Sequence, residues 1–209
     1  MSKPDLTGMA EEERTELLAL LQSLTAAQWQ AQSLCTGWSV RDVAAHVVSY
    51  DELSTAALAG TFLRGGGGFA KVNAVALRRY HRLGPDGIID LLARNLRPRG
   101  LPAGFGGGIA LTDGTIHHQD IRRALDLSRT IPADRLVSVL DFALGAPTLP
   151  AKKNAKGLQL QAIDVDWTSG AGKDVTGPGE ALLMALAGRP DSLEELSGPG
   201  LPTLRARVE

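Results

Sequence analysis

Apolar residues recur at helical spacing through roughly the first two-thirds of the chain and alternate with polar ones only near its end. Leu17, Leu18, Leu20, Leu21 and Leu24 predict a first helix over 9–24, with Glu11, Glu12 and Glu13 in an acidic first turn that suits the positive end of a helix dipole. Thr25 followed by Gln28 reads as a capping box, and 33–37 breaks the pattern. Ser39 with Asp42 opens a second helix that carries Val40, Val43, Ala44, His46, Val47 and Tyr50 and is expected to run to about Gly60. The oligoglycine at 65–68 lacks the strand, Lys and Ser/Thr of a phosphate-binding loop and reads as a linker before a third helix over 69–83. Pro85 at a first-turn position starts a fourth, through Ile88, Leu91, Leu92 and Leu96, that ends by Pro98. A fifth holds Asp113 and His117 and continues to Leu125, and Pro132 opens a sixth over 133–144. Helices joined by short breaks, with no strand among them, predict an antiparallel bundle.

Near Gly145 the pattern changes. Leu158, Leu160 and Ala162 alternate with Gln159 and Gln161 ahead of Val165 and Trp167, a period of two that predicts a strand, and 174–176 reads as another. A helix follows over 180–187, and Leu204-Arg205-Ala206-Arg207-Val208 alternates as a last strand. The fold class is therefore α+β, with a helical bundle over 1–146 and a small β-β-α-β domain over 147–209.

Composition narrows the function classes. A net charge of -1 and a hydrophobic content of 44% over 209 residues give no electrostatic grip on nucleic acid or an anionic membrane, so small-molecule partners are expected. Cys35 is the single cysteine, which excludes an internal disulfide and a Cys-rich metal site. Neither a signal peptide nor a membrane span is apparent, so the expected location is the cytoplasm, as monomer or homodimer.

The candidate chemistry lies in His46, Asp113 and His117. Asp113 and His117 are four residues apart, so on a helix both leave one face and a single divalent ion can reach both. His46 is a lone polar residue in the apolar run 43–48, where it needs a partner. Three N/O donors would leave one position of a tetrahedral zinc free, the mark of a catalytic rather than a closed site. The plainer readings are a satisfied core histidine and, for Asp113, a cap or solvated charge. Asp120, three residues after His117, reads equally as an acceptor orienting that imidazole or as a partner of Arg123 or Arg41. His118 points about 100° away from His117, and His81 reads as a surface residue. Cys35, with no His or Lys adjacent in sequence, reads as an inert small side chain, and Trp29 and Trp38 as core. Arg189 and Arg205 are candidate clamps for a substrate carboxylate or cofactor.

The run from Leu34 to His46, Leu-Cys-Thr-Gly-Trp-Ser-Val-Arg-Asp-Val-Ala-Ala-His, the run Asp-Gly-Thr-Ile-His-His-Gln-Asp-Ile-Arg-Arg from Asp113, and the stretch from Val175 to Arg189 resemble the maleylpyruvate isomerase family of mycothiol-dependent enzymes. The resemblance implies a DinB-like helical bundle followed by a sterol-carrier-like α+β domain. It also implies a metal, typically zinc, held by one His on the second helix and by a Glu and a His four apart on a later one. Carried over, the histidines fall on His46 and His117, and Asp113 stands where the family has Glu, one methylene shorter. The implied function is a metal-dependent, mycothiol-using isomerase or S-transferase acting on a small electrophile. The alternatives are a non-catalytic small-ligand-binding protein of the same fold and a metal-assisted hydrolase without thiol.

Overall fold

A computed structural model describes residues 4–53, 55–64, 72–73, 75, 77, 80 and 82–209. Most of the expected third helix, the oligoglycine linker and His81 lie outside the described residues. The chain divides into two compact units, 1–128 and 129–209. The sixth predicted helix, over 133–144, falls in the second unit.

The first unit is helical. Helix α1 (Leu6–Ser23) starts three residues earlier than the leucine spacing suggests, because the Asp5 side chain caps it, accepting from Gly8 N at 3.0 Å. Glu11 to Glu13 thus lie beyond the first turn, and Glu13 is buried. Both predicted capping boxes form, Thr25 with Gln28 at α2 (Ala26–Gln30) and Ser39 with Asp42 at α3 (Val40–Val47). Helix α3 ends well short of Gly60. The chain turns at 48–52, and a separate helix, α4 (Thr55–Arg64), follows.

That turn is fixed by a buried ion pair. Arg14 on α1 donates to both oxygens of Asp51, at 2.8 and 3.0 Å, and to the carbonyl of Asn95 at 2.6 Å, and the backbone N–H of Arg99 donates to Asp51 as well. Such satisfaction makes a buried carboxylate tolerable, though burial still pushes Asp51 above the usual carboxylate range against the pull of Arg14. Helix α5 (Pro85–Arg94) buries Ile88, Leu91 and Leu92, which join Leu17, Leu21, Trp29, Val40 and Val43 in the core.

Helix α6 (Gly108–Ala124) packs on α1 and α3. Its N-cap is Gly107 at φ 92°, a left-handed conformation, and a side chain there would meet the Thr7 backbone, so α6 begins in contact with the start of α1. Isolated bridge aside (Gln32 to Ser39), no sheet pairing occurs among the described residues of this unit.

The second unit holds α7 (Ala133–Gly145), α8 (Ala151–Asn154), strands β1 (Leu158–Ala162), β2 (Thr168–Gly170) and β3 (Lys173–Gly177), α9 (Gly179–Leu186) and α10 (Leu201–Val208). The sheet order is β2-β1-β3, with β1 antiparallel to β2 and parallel to β3. Leu158, Leu160, Ala162 and Val175 form its buried face, and α9 is buried from Ala181 to Leu186.

Two expectations are corrected here. The alternation read through Trp167 is broken at 163–166, where the chain reverses into β2, and the Trp167 indole donates to Asp141 at 2.8 Å. The last segment is helical. Pro202 sits in the first turn of α10, Leu204 is its buried residue, and the free edge of β3 is already taken by Ser197, which exchanges backbone hydrogen bonds with Thr176 at 2.8 and 2.9 Å. The domain is thus three strands with helices after them, rather than β-β-α-β. Among the described residues no helix is long and apolar enough to cross a membrane.

Candidate metal centre

Among the described residues, the two clusters of His, Cys and Asp that could hold a metal draw on three segments of the first unit. Helix α3 presents His46 in its last turn, α6 presents Asp113, His117 and Asp120 on one face, and the loop between α2 and α3 contributes Cys35 and Trp38. His46 Nε2 lies 3.6 Å from Asp113 Oδ1, and His117 Nε2 lies 3.5 Å from the same oxygen. One donor atom from each of the three falls within 4.8 Å of the others.

These separations are informative in themselves. They exceed the 2.7–3.2 Å of a good N–H···O bond but match the roughly 3.3 Å between N and O donors that share a tetrahedral ion at about 2.0–2.1 Å from each. His46 is 5% exposed, and its Nδ1 has no hydrogen-bond partner among the described residues. A buried imidazole nitrogen left so is costly unless something else engages the ring. Asp113, by contrast, is 41% exposed, so the centre opens to solvent on its side. A donor set of two imidazoles and a carboxylate suits a borderline cation such as zinc.

The outer partner of His117 is Asp120, fully buried, whose Oδ2 lies 2.8 Å from His117 Nδ1. Asp120 also accepts the Cys35 thiol at 3.0 Å, so the imidazole Nδ1 is the donor and Nε2 is left facing Asp113. Of the two readings of Asp120, the geometry therefore supports the one in which it orients His117.

Electrostatics follow the same lines. Burial alone would lower His117, but the charge of Asp113 and the hydrogen bonds to Asp120 and Cys35 outweigh it and raise its pKa to about 10. Burial alone would raise Asp113, but the His117 and His46 charges hold it at about 2. In the absence of metal the pair is an imidazolium beside a carboxylate. Tyr50, edge-on to His46 at 6.1 Å, is pushed up to about 12 by burial and by Asp113, so its hydroxyl keeps its proton at neutral pH.

One residue is corrected. Cys35 is half-buried and faces His117 Nδ1 at 3.6 Å as well as Asp120, so it is no isolated small side chain. The neighbours missing along the sequence arrive from α6. Trp38 packs against the edge of the core and also reaches the two imidazoles. Its half-buried ring stacks on His117 at 6.4 Å and tilts against His46 at 5.1 Å, while Trp29 is in the core as expected.

His118 turns to the other side of α6, where its Nδ1 meets buried Glu13 at 2.8 Å and its Nε2 accepts from Arg122 at 2.9 Å. Arg189 and Arg205 lie in the second unit. Arg189 donates to the Ala187 carbonyl, and Arg205 pairs with Glu194 and Glu209 at 2.7 and 2.9 Å, leaving its guanidinium engaged by this chain's own carboxylates.

Residues 10–98 match the model of the mycothiol maleylpyruvate isomerase N-terminal domain. That span is similar to this domain family. It carries Cys35, Trp38 and His46 and ends before Asp113 and His117. Among solved structures, the chain is similar to a mycothiol-dependent maleylpyruvate isomerase, at 15% identity and a TM-score of 0.54, over 93% of this chain and 91% of that one. It is equally similar, at 14% identity and the same TM-score and coverage, to a mutant of that enzyme in which a histidine is replaced by alanine. No curated protein matches the chain by sequence. At such identities the likeness is one of fold, the helix-rich α+β arrangement expected from the hydrophobic pattern.

Proposed function

We propose that the chain is a metal-dependent isomerase or S-transferase that uses a low-molecular-weight thiol, mycothiol by family, on a small electrophilic substrate in the cytoplasm. The observation that carries this reading is the convergence of His46 Nε2 and His117 Nε2 on Asp113 Oδ1 at 3.6 and 3.5 Å. These three residues would hold the ion, zinc by donor type. When bound, the ion would lower the pKa of a thiol or water at its open position and so supply a nucleophile at neutral pH.

The remaining roles belong to side chains of this chain. Asp120 keeps the proton of His117 on Nδ1 and so directs Nε2 inward. Asp113, the exposed member, marks the side from which a thiol and a substrate can enter. Trp38 and Tyr50 wall the two imidazoles with aromatic surface, which excludes water there and strengthens the electrostatics of whatever binds. The Tyr50 hydroxyl donates to Asn73 Oδ1 at 2.6 Å, which fixes the ring beside His46.

The test is elemental analysis of protein purified without chelator, followed by isomerase and thiol-transfer assays on small unsaturated acids with and without added thiol. About one zinc per chain and strictly thiol-dependent turnover are expected. Protein that takes up no divalent metal overturns the reading, and turnover that persists without thiol replaces it by metal-assisted hydrolysis.

A further inference from the structure

The loop between α2 and α3 is built more firmly than a connection needs to be. The Gln32 side chain donates to three backbone carbonyls of the loop, those of Ser33, Cys35 and Trp38, at 2.8–2.9 Å. The Ser33 hydroxyl donates to the Trp38 carbonyl at 2.8 Å and accepts from the Cys35 N–H at 3.1 Å. Gly37 turns the chain at φ 75°, a left-handed conformation. The loop is also tied to α6 at one point, because the Leu34 N–H donates to the carbonyl of Asp120 at 3.2 Å.

That anchoring delivers two side chains to the same imidazole. Trp38 lies against the ring of His117, and the Cys35 thiol donates to Oδ2 of Asp120, the oxygen that holds His117 Nδ1. The backbone of Asp120 is thus bonded to the loop while its carboxylate is bonded to the loop's thiol. A carboxylate bridging a thiol and an imidazole has its rotamer set from both sides, and the direction of Nε2 follows from that rotamer.

We infer that Cys35 is a positioning residue of the metal centre: its thiol, acting through Asp120, fixes the ring of His117 in the orientation that presents Nε2 to the cation. The inference rests on the metal reading above and adds to it a residue that touches neither metal nor substrate. Sulfur chemistry is not required of Cys35. What matters is one hydrogen-bond donor of the right length at the end of a rigid loop, so serine should do nearly as well and alanine should not.

The experiment is a double-mutant cycle read by zinc affinity, in competition with a chromophoric chelator, and by the visible spectrum of the cobalt(II)-loaded protein. Cys35→Ala should weaken zinc about 3–10-fold, the range of one net hydrogen bond, and should broaden or shift the cobalt bands. Cys35→Ser should restore affinity to within about twofold of the parent. Asp120→Asn should weaken zinc by about 10–100-fold, as loss of an imidazole's outer partner does, and in that background Cys35→Ala should cost nothing more. The non-additivity is the readout that mere support of the fold would not produce. Should Cys35→Ala lower the cooperativity of unfolding in the metal-free protein, Cys35→Val, close to cysteine in size but without a donor, takes its place against Cys35→Ser.

Equal zinc affinity in the parent and in the donorless variant overturns the inference, as does a loss of the same size with and without Asp120. Either result leaves the metal reading standing. A parent that binds no zinc removes the metal reading itself, so the two failures are distinct.

Discussion

His117 and His118 are neighbours in sequence and opposites in chemistry. His118 is saturated, held between Glu13 at 2.8 Å and Arg122 at 2.9 Å, both within ordinary hydrogen-bond range, and is fully buried. Because an arginine can only donate, Nε2 of His118 is an acceptor and Nδ1 carries the proton toward Glu13, which leaves no lone pair for a cation. His117 has one nitrogen in such a bond and the other set 3.5 Å from a half-exposed carboxylate, too far for a hydrogen bond and right for a shared ion. One helix therefore carries a structural histidine and a candidate ligand one residue apart. What separates them is the length and completeness of their hydrogen bonds.

The comparison can be broken most directly by deleting each ring. His117→Ala should weaken zinc binding by more than about 100-fold, beyond what loss of an outer partner typically costs. His118→Ala should leave zinc affinity close to the parent's. It removes the buried hydrogen bond between His118 and Glu13 and should cost about 1–3 kcal/mol in urea unfolding, while one zinc per folded chain is retained. If both variants lose zinc alike, the distinction between the two faces of α6 is wrong.

Protonation sharpens the same contrast. With His117 raised to about 10 in the metal-free protein, above the roughly 6.5 of an unfolded histidine, its contribution to stability is fully present below about pH 6.5 and is lost as pH rises through about 10. The metal-free parent should therefore lose stability over that window, His118→Gln should share the trend, and His117→Gln should flatten it, as chemical denaturation at a series of pH values will show. Zinc must displace that proton, so calorimetry at pH 8 in buffers of different ionisation heat should register about one proton released per ion bound.

The smallest expected change is at the third ligand. Asp113→Glu restores the longer carboxylate of the family resemblance, and zinc affinity should hold or rise by up to about tenfold, within the energy of one charge-assisted bond. A large loss measured by chelator competition would mean that the shorter side chain is matched to this backbone, with α6 already close enough to the ion.

Much of this centre was legible in the chain. The spacing of Asp113 and His117 is a property of any α-helix, and the two capping boxes are local patterns that begin and end within four residues. Cys35 was misread for a definite reason. Its relevant neighbours, His117 and Asp120, are 82 and 85 residues away, so adjacency along the sequence could not reveal them. A signal was present nonetheless, since Gln32, Ser33 and Gly37 surround Cys35 and Trp38 with the residue types of a built loop rather than a slack one. The strand expected at 204–208 failed because Leu201, Leu204 and Val208 also satisfy helical spacing. Alternation over five residues cannot decide between the two, whereas Pro202 in the first turn and an occupied strand edge can.

What the sequence determined by itself is local: where helices start, which residues share a face, and that two imidazoles and a carboxylate were available with none of the cysteines of a closed site. Which histidine faces Asp113 and which Glu13, where Cys35 donates, and that Trp38 reaches the rings from the edge of the core were decided only by the packing of α6 against α1 and α3. Those contacts join segments far apart along the chain, Glu13 and His118 by 105 residues, and side-chain direction at such a junction is set by which partner arrives, a quantity no periodicity along one chain contains.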